Sequence, residues 1–226
     1  MSSDFSTNLN TGDPSLDADL AALAPAVCAA CEGADAAHDL LHVQRVTRTA
    51  IRLCQRESVA PRVPVTAAWL HELFNYPKGH PDSKRSGEVC AEHAAELLRA
   101  HRWSEPVVEA VRYAIAVHPF SLAITPTTLE AKILQDADRL DSIGAVGVAR
   151  CFATCASMGR PFYHPEDPWA VGRPLDDKLW GLDHFALKLE RIASVLHTES
   201  ARAMAHERTL FLRTFCDRLR AEIDGA

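Results

Sequence analysis

The chain has 226 residues, of which 47% are hydrophobic and 24% charged, and its formal net charge is -6. This length allows one large or two small domains, and the apolar fraction is typical of a globular protein. The mild acidity argues against a dedicated nucleic-acid-binding protein, which usually carries a basic domain. No stretch approaches the roughly 20 apolar residues of a membrane span. The N-terminus also lacks the pattern of a secretory signal, so we expect a cytoplasmic protein.

Helical periodicity extends over almost the whole chain, and no alternating strand pattern is present, which predicts an all-α fold. We expect 1–14 to be a flexible segment and 15–226 to be a single helical domain. Ser15 or Asp17 is expected to cap the first helix, which ends near Glu32.

Asp35 is expected to cap the second helix. The second and later helices are predicted at about 43–53, 65–74, 83–102, 104–118, 128–157, 185–196 and 211–223. Asp82 or Ser83 is the expected cap of the helix that reaches Arg102. The long pattern from 128 contains Gly144 and Gly147 and is expected to bend near them. The irregular connections are 75–83, 119–126 and 159–181.

The irregular segment 159–181 carries four aromatic residues, which are Phe162, Tyr163, Trp169 and Trp180. These rings suit two alternative roles. They could stack on a ring of the substrate, or they could pack within a surface loop. The sequence leaves both open.

The seven cysteines lie in apolar surroundings, and Cys28 and Cys31 form a CxxC pair with no second pair after it. A buried, reduced set of thiols is the favoured interpretation over a zinc or redox motif.

Three helical segments place acidic or imidazole groups where a buried face should be apolar. They are HDLLH at 38–42, HE at 71–72 and QDADRLD at 135–141. The two histidines of the first segment are four apart and share a helix face. The carboxylates of the third would repel one another in a core, and a bound cation removes that cost. Imidazoles with carboxylates suit manganese, iron, nickel, cobalt or zinc better than calcium.

Each segment also has a simpler explanation. A single histidine on an apolar face is usually a core residue with satisfied hydrogen bonds. Asp39 could have no role beyond capping a helix, and Asp136 or Asp141 could face solvent. The three segments together are harder to explain in this way, and they leave a metal site and its absence about equally supported.

The order of these segments on consecutive helices resembles the HD-domain metal-dependent phosphohydrolases, and in particular their YedJ/YpgQ-like branch. The resemblance extends over about 35–220 and is carried by AHDLLHVQRV, EAKILQDADRLDSIGAVGVARCFA, PFYHPEDP and RPLDDKLWGLDHFALKLERI. It implies an all-helical fold, a divalent metal (manganese, iron, nickel, cobalt or magnesium) and hydrolysis of a phosphate ester or anhydride, most naturally of a nucleotide.

Carried over residue by residue, the resemblance implies metal ligands at His42, His71, Glu72 and Asp138. Glu72 stands where the family has aspartate, one methylene shorter, so it could ligate differently or act as a base. Glu72 and Asp138 are the expected catalytic carboxylates. The residues expected to support the ligands or the substrate are His38, Asp39, Arg45, Lys132, Asp136 and Asp141.

The loop after the His71–Glu72 pair is rich in basic residues, which are Lys78, His80, Lys84 and Arg85. A leaving phosphate needs positive charge opposite it, so we expect this loop to bind phosphate. The alternative is a solvated turn before a helix.

His93 and His118 resemble the extra histidines that hold a second metal in dinuclear members of the family, including oxygenases that act on diols or phosphonates. Alternatively, His118 touches substrate or supports a ligand, and His93 is a partly buried surface residue.

The leading hypothesis is therefore a metal-dependent nucleotide phosphohydrolase. The alternatives are a dinuclear-iron oxygenase and a degenerate module that binds a nucleotide or a partner without turnover. A helical DNA-binding regulator is disfavoured, since no basic recognition helix is present. The sequence does not determine the oligomeric state.

Overall fold

The structure is a computed structural model that describes residues 9–34, 38–77 and 80–225. Within these ranges all regular structure is helical, which confirms the all-α prediction. The α-helices are α1 (Pro14–Ala30), α2 (Leu40–Glu57), α3 (Arg62–Leu70), α4 (Ser86–Ala100), α5 (Glu105–Val117), α6 (Leu129–Asp141), α7 (Gly144–Ser157), α8 (Asp183–Leu187) and α9 (Glu199–Ile223). No helix in the described part of the chain is long and apolar enough to cross a membrane.

The chain divides into two compact units, the first ending at Asp138 and the second beginning at Arg139. A single domain over 15–226 stays a prediction.

In the first unit, α3 is the central helix and packs against α1, α2 and α5, while α4 packs against α5. Seven of its nine residues are buried, because its sequence is apolar on every side. Trp69 is fully buried, and its indole Nε1 donates to the carbonyl oxygen of Leu20 on α1 at 3.2 Å. The end of this central helix is therefore fixed from several directions.

In the second unit, α7 packs against α9. Phe152 on α7 contacts the rings of Phe162, Phe185 and Phe215 at centroid distances of 4.8 to 6.0 Å. The irregular segment thus packs onto its own unit through Phe162. Trp169 also lies under the Arg220 guanidinium of α9 at 4.4 Å.

Several predicted helix boundaries were wrong. The first helix is capped by Asp13, not by Ser15 or Asp17, since the Asp13 carboxylate accepts from two amides of the first turn and Pro14 begins the helix. The second helix is capped by Asp39, and the predicted cap Asp35 lies outside the described residues.

The fourth helix begins at Ser86, after a 3-10 turn over Ser83–Arg85, so neither predicted cap is correct. The third helix ends at Leu70, where the prediction continued to Phe74.

The predicted long helix over 128–157 is two helices, α6 and α7. Gly144 begins α7 with φ +77°, a left-handed conformation that helix interiors do not allow. The predicted helix over 185–196 is the short α8 followed by a 3-10 segment, Leu189–Val195. The last helix is longer than predicted, because Thr198 caps it well before Phe211.

Candidate metal centre

Three of the four predicted ligands lie together in the first unit. His42 Nε2 is 3.2 Å from His71 Nε2 and 3.7 Å from Glu72 Oε1, and His71 Nε2 is 3.8 Å from the same oxygen. Both histidines are 1% exposed, and the Glu72 side chain is 8% exposed. One ligand atom from each residue lies within 4.8 Å of the others.

The ends of two helices place these side chains. The Asp39 carboxylate accepts from the His42 amide at 2.8 Å and so fixes His42 in the first turn of α2. His71 is the C-cap of α3, and Glu72 follows it in a turn. Because α3 stops at Leu70, the side chains of the adjacent His71 and Glu72 can both turn toward His42.

The fourth predicted ligand, Asp138, comes from α6. Its Oδ1 lies 3.6 Å from His42 Nε2, and its side chain is 24% exposed. Asp136 is two positions away, points to another side of the helix and is fully buried. Of these two carboxylates, Asp138 is therefore the one beside the histidines and in reach of solvent.

These distances fit one divalent ion. Two imidazole nitrogens bound at about 2.1 Å with near-tetrahedral or octahedral angles are about 3.0–3.4 Å apart, and no two ligands of one ion exceed about 4.2 Å. The separations of 3.2, 3.7 and 3.8 Å among His42, His71 and Glu72 fall inside these limits. Two nitrogens and one or two carboxylate oxygens form a donor set for a borderline transition metal.

The protonation states also suit a cation. The Nδ1 of His71 donates to the Ala68 carbonyl oxygen at 2.7 Å, which leaves the Nε2 lone pair facing His42 and Glu72. Burial lowers the pKa of His71 to about 4, so this imidazole is neutral at neutral pH. Burial alone would raise the pKa of Glu72, but hydrogen bonding from His42 and the neighbouring imidazoles outweigh it, and the pKa lies below its usual value.

A contact that sequence reasoning missed holds Glu72 from the other side. The side-chain amide of Asn75 donates to Glu72 Oε2, while Oε1 faces the histidines. The signal was present in the sequence, since an amide three residues after a ligand can reach back to it across a turn.

The other predicted histidines lie at different distances from this group. The His118 ring is buried and meets the His71 ring edge-on at 5.4 Å, and its Nδ1 donates to the Ile115 carbonyl oxygen at 2.6 Å. The His38 ring is 6.1 Å from that of His42. His93 is exposed and packs against the ring of Phe74 at 5.3 Å.

The basic loop is only partly described, and Lys78 lies outside the described residues. His80 stacks on Tyr76 at 4.6 Å, and Lys84 is exposed. Arg85 is exposed and forms an ion pair with Glu88 at 3.0 Å. Phosphate binding by these residues stays a prediction.

The remaining predicted supporting residues lie on α2 and α6. Arg45 and Lys132 are half-buried. Asp141 is buried and forms an ion pair with Arg150 in the second unit at 2.8 Å. None of these observations tests their predicted roles.

All seven cysteines lie in the described ranges and are free. Burial raises the pKa of Cys54 and of Cys90 to about 12, and that of Cys31 to about 11. Such thiols stay protonated at neutral pH and make poor nucleophiles. These three buried thiols are therefore poor candidates for a catalytic role.

Comparison with known proteins identifies the family of the chain. Residues 40–143 match the model of the HD domain. The chain is also 31% identical over 192 residues to an uncharacterized protein, YpgQ of Bacillus subtilis, a match that covers 83% of this chain and 85% of YpgQ. The chain belongs to the HD domain superfamily. The matched HD domain contains His42, His71, Glu72 and Asp138.

Solved structures of HD proteins have the same fold. Bacillus subtilis YpgQ in complex with ADP matches with a TM-score of 0.71 and 27% identity, over 93% of this chain and 97% of that one. An HD-superfamily hydrolase from Bacillus thuringiensis matches with a TM-score of 0.72 and 25% identity, over 93% of this chain and all of that one. The resemblance to this superfamily and to its YpgQ-like branch is confirmed.

Proposed function

We propose that the protein is a divalent-metal-dependent phosphohydrolase that acts on a phosphate ester or anhydride of a nucleotide. The observation that carries the proposal is the buried group of His42, His71 and Glu72, with one ligand atom from each facing the others. The superfamily supports hydrolysis, since a similar HD protein is described as a hydrolase. The complex of YpgQ with ADP supports a nucleotide as the substrate.

In this proposal His42, His71, Glu72 and Asp138 hold the ion. A bound divalent ion lowers the pKa of water to near neutrality and polarises a phosphoryl oxygen. His71 contributes a fixed lone pair, because its other nitrogen is committed to the Ala68 carbonyl. The ion is a transition metal or magnesium, and manganese is the one to be tried first.

Among the described carboxylates, Glu72 and Asp138 each place an oxygen within 4 Å of His42 Nε2, and they are our candidates for accepting a proton from water. Asp138 is the better placed to meet substrate, because its side chain is 24% exposed against 8% for Glu72. We therefore assign proton transfer to Asp138 and charge balance to Glu72.

We further propose that the loop after Glu72 receives the phosphates. Lys84 and Arg85 are exposed, and Arg85 forms an ion pair with Glu88, whose side chain is 62% exposed. An exposed ion pair of this kind contributes little to stability, so a phosphate can replace Glu88 with little loss.

The test measures release of phosphate or pyrophosphate from a panel of nucleoside mono-, di- and triphosphates with manganese, iron, nickel, cobalt, zinc or magnesium. We expect hydrolysis with at least one combination of nucleotide and metal. A chelator should abolish this activity, and so should His71→Ala and Asp138→Ala. His101→Ala, an exposed imidazole at the end of α4, is the control and should leave the rate unchanged. Activity retained in both site variants would refute the assigned site.

A second candidate, the dinuclear-iron oxygenase, gains support from one observation: the His118 ring adjoins that of His71. The oxygenase would also require His93 as a ligand of the second metal. His93 is instead exposed and packs against the ring of Phe74. Metal analysis of the purified protein separates the two functions. One equivalent per chain and no oxygen consumption with diols or phosphonates would exclude the oxygenase.

The third candidate, a module without turnover, is tested by Glu72→Asp. Tight metal binding without hydrolysis in the wild type, together with hydrolysis in Glu72→Asp, would favour it.

A further inference from the structure

We propose that Asn75 is the positioning residue that makes Glu72 a one-oxygen ligand. This inference rests on the metal centre proposed above. It concerns how the chain accommodates a glutamate, and it assigns to Asn75 a role in selecting which carboxylate oxygen faces the ion.

The two oxygens of Glu72 face different partners. Oε1 lies 3.7 Å from His42 Nε2 and 3.8 Å from His71 Nε2, whereas Oε2 accepts from the Asn75 amide. A glutamate reaches one methylene further than an aspartate and has one more rotatable bond. Left alone, its carboxylate could rotate to present both oxygens, and the amide removes that freedom by binding one of them.

Asn75 can do this because the backbone on both sides of it is held. The Leu73 amide donates to the Leu70 carbonyl oxygen at 3.2 Å and closes the turn that follows α3. The Tyr76 amide donates to the Ser86 hydroxyl at the start of α4 at 3.1 Å.

The side chains beside Asn75 are also packed. The Phe74 ring meets the rings of Tyr76 and His93 edge-on at 4.9 and 5.3 Å. The Asn75 side chain is therefore presented to Glu72 by a fixed segment, although it is itself exposed.

Removal of the amide should change the metal site without removing a ligand. In Asn75→Ala, Oε2 loses its donor, so the Glu72 carboxylate can rotate and bind through both oxygens or turn away. Loss of a hydrogen bond to a metal ligand typically lowers metal affinity by about 10–100-fold. The geometry around the ion should change at the same time.

Cobalt(II) reports both quantities in the full chain, since its visible absorption depends on coordination number and geometry. We expect Asn75→Ala to bind cobalt at least about tenfold more weakly than the wild type, with an altered visible spectrum. The matched control is Gln55→Ala, which removes an exposed amide from α2 and should change neither quantity. Circular dichroism confirms that each variant is folded.

A double-mutant cycle separates this role from a general effect on the loop. In a Glu72→Asp background the shorter carboxylate no longer reaches the amide, so Asn75→Ala should change cobalt affinity by less than about twofold. An equal effect in both backgrounds would overturn the inference, as would a wild-type affinity and spectrum in Asn75→Ala. No cobalt binding by the wild type and Gln55→Ala would instead overturn the proposed metal centre, and the inference with it.

Discussion

At the scale of single residues, the site combines buried imidazoles with carboxylates. His71 is the clearest case, since burial lowers its pKa from 6.5 to about 4 and leaves it neutral in the folded protein. In the unfolded chain the same imidazole takes up a proton near pH 6.5. At His71 the folded state therefore binds fewer protons than the unfolded state between pH 6.5 and 4, so the contribution of this residue to stability falls as the pH falls through this window.

For the metal-free protein this predicts a loss of about 2 kcal/mol of unfolding free energy between pH 7.5 and pH 5.0 from His71 alone. Urea unfolding with a chelator at the two pH values measures it. His71→Asn has no proton to bind there and should show a smaller loss. The same loss in both proteins would contradict the assignment to His71.

A buried ion pair gives a second prediction at this scale. Asp183 is 1% exposed and accepts from both terminal nitrogens of Arg173 at 2.6 and 2.8 Å, and from the Asp176 amide. Arg173→Ala leaves this carboxylate buried without its partner and should cost about 3 kcal/mol of stability. The double variant with Asp183→Asn should recover part of the loss. A cost below about 1 kcal/mol, measured by urea unfolding, would show that the pair is dispensable.

The residues of the site were predicted more fully than their supports. The three segments that contain His42, His71, Glu72 and Asp138 stood out because each puts charged or imidazole groups where a core face should be apolar, and the resemblance to HD proteins then indicated these four residues within them. The Asn75 amide and the Ala68 carbonyl could not be found in this way. Polar residues in turns are common, and a backbone carbonyl leaves no mark in a sequence.

At the scale of elements, helix ends decide the site more than helix interiors. The sequence predicted α2 and α3, but it placed a cap at Asp35 and continued α3 to Phe74. The structure has Asp39 as the cap and ends α3 at Leu70. Hydrophobic periodicity locates a helix well but its ends poorly, since the residues of the last helical turn have a similar pattern whether they continue the helix or leave it. Similarly, the apolar pattern across Gly144 predicted one bent helix, where the structure has the two helices α6 and α7.

The end of α2 allows a test of element stability. Ser58 adopts a left-handed conformation, with φ 55° and ψ 41°, and its amide donates to the Cys54 carbonyl. A glycine adopts this conformation without steric cost, so Ser58→Gly should stabilise the protein by about 1 kcal/mol. Ser58→Ala keeps the Cβ and should not stabilise it. A lower urea midpoint in Ser58→Gly than in Ser58→Ala would contradict the argument.

At the scale of the whole molecule, the proposed centre couples metal to stability. An ion that binds only the folded chain stabilises it by about 2.7 kcal/mol at 100 times its dissociation constant. We therefore expect a higher melting temperature with manganese or cobalt than with a chelator, and no such shift in His71→Ala. An equal shift in that variant would place the ion elsewhere. The formal charge of -6 includes Glu72 and Asp138, whose charge a divalent ion would offset.

The Nδ1 hydrogen bonds of His71 and His118 have a practical consequence. Each buries an imidazole proton against a backbone carbonyl, at 2.7 Å and 2.6 Å. Protons held in this way exchange slowly with water and resonate downfield of the amide region in a proton NMR spectrum. The protein thus carries two native reporters close to the proposed centre. A titration with zinc should shift the His71 signal, with no label or substrate required.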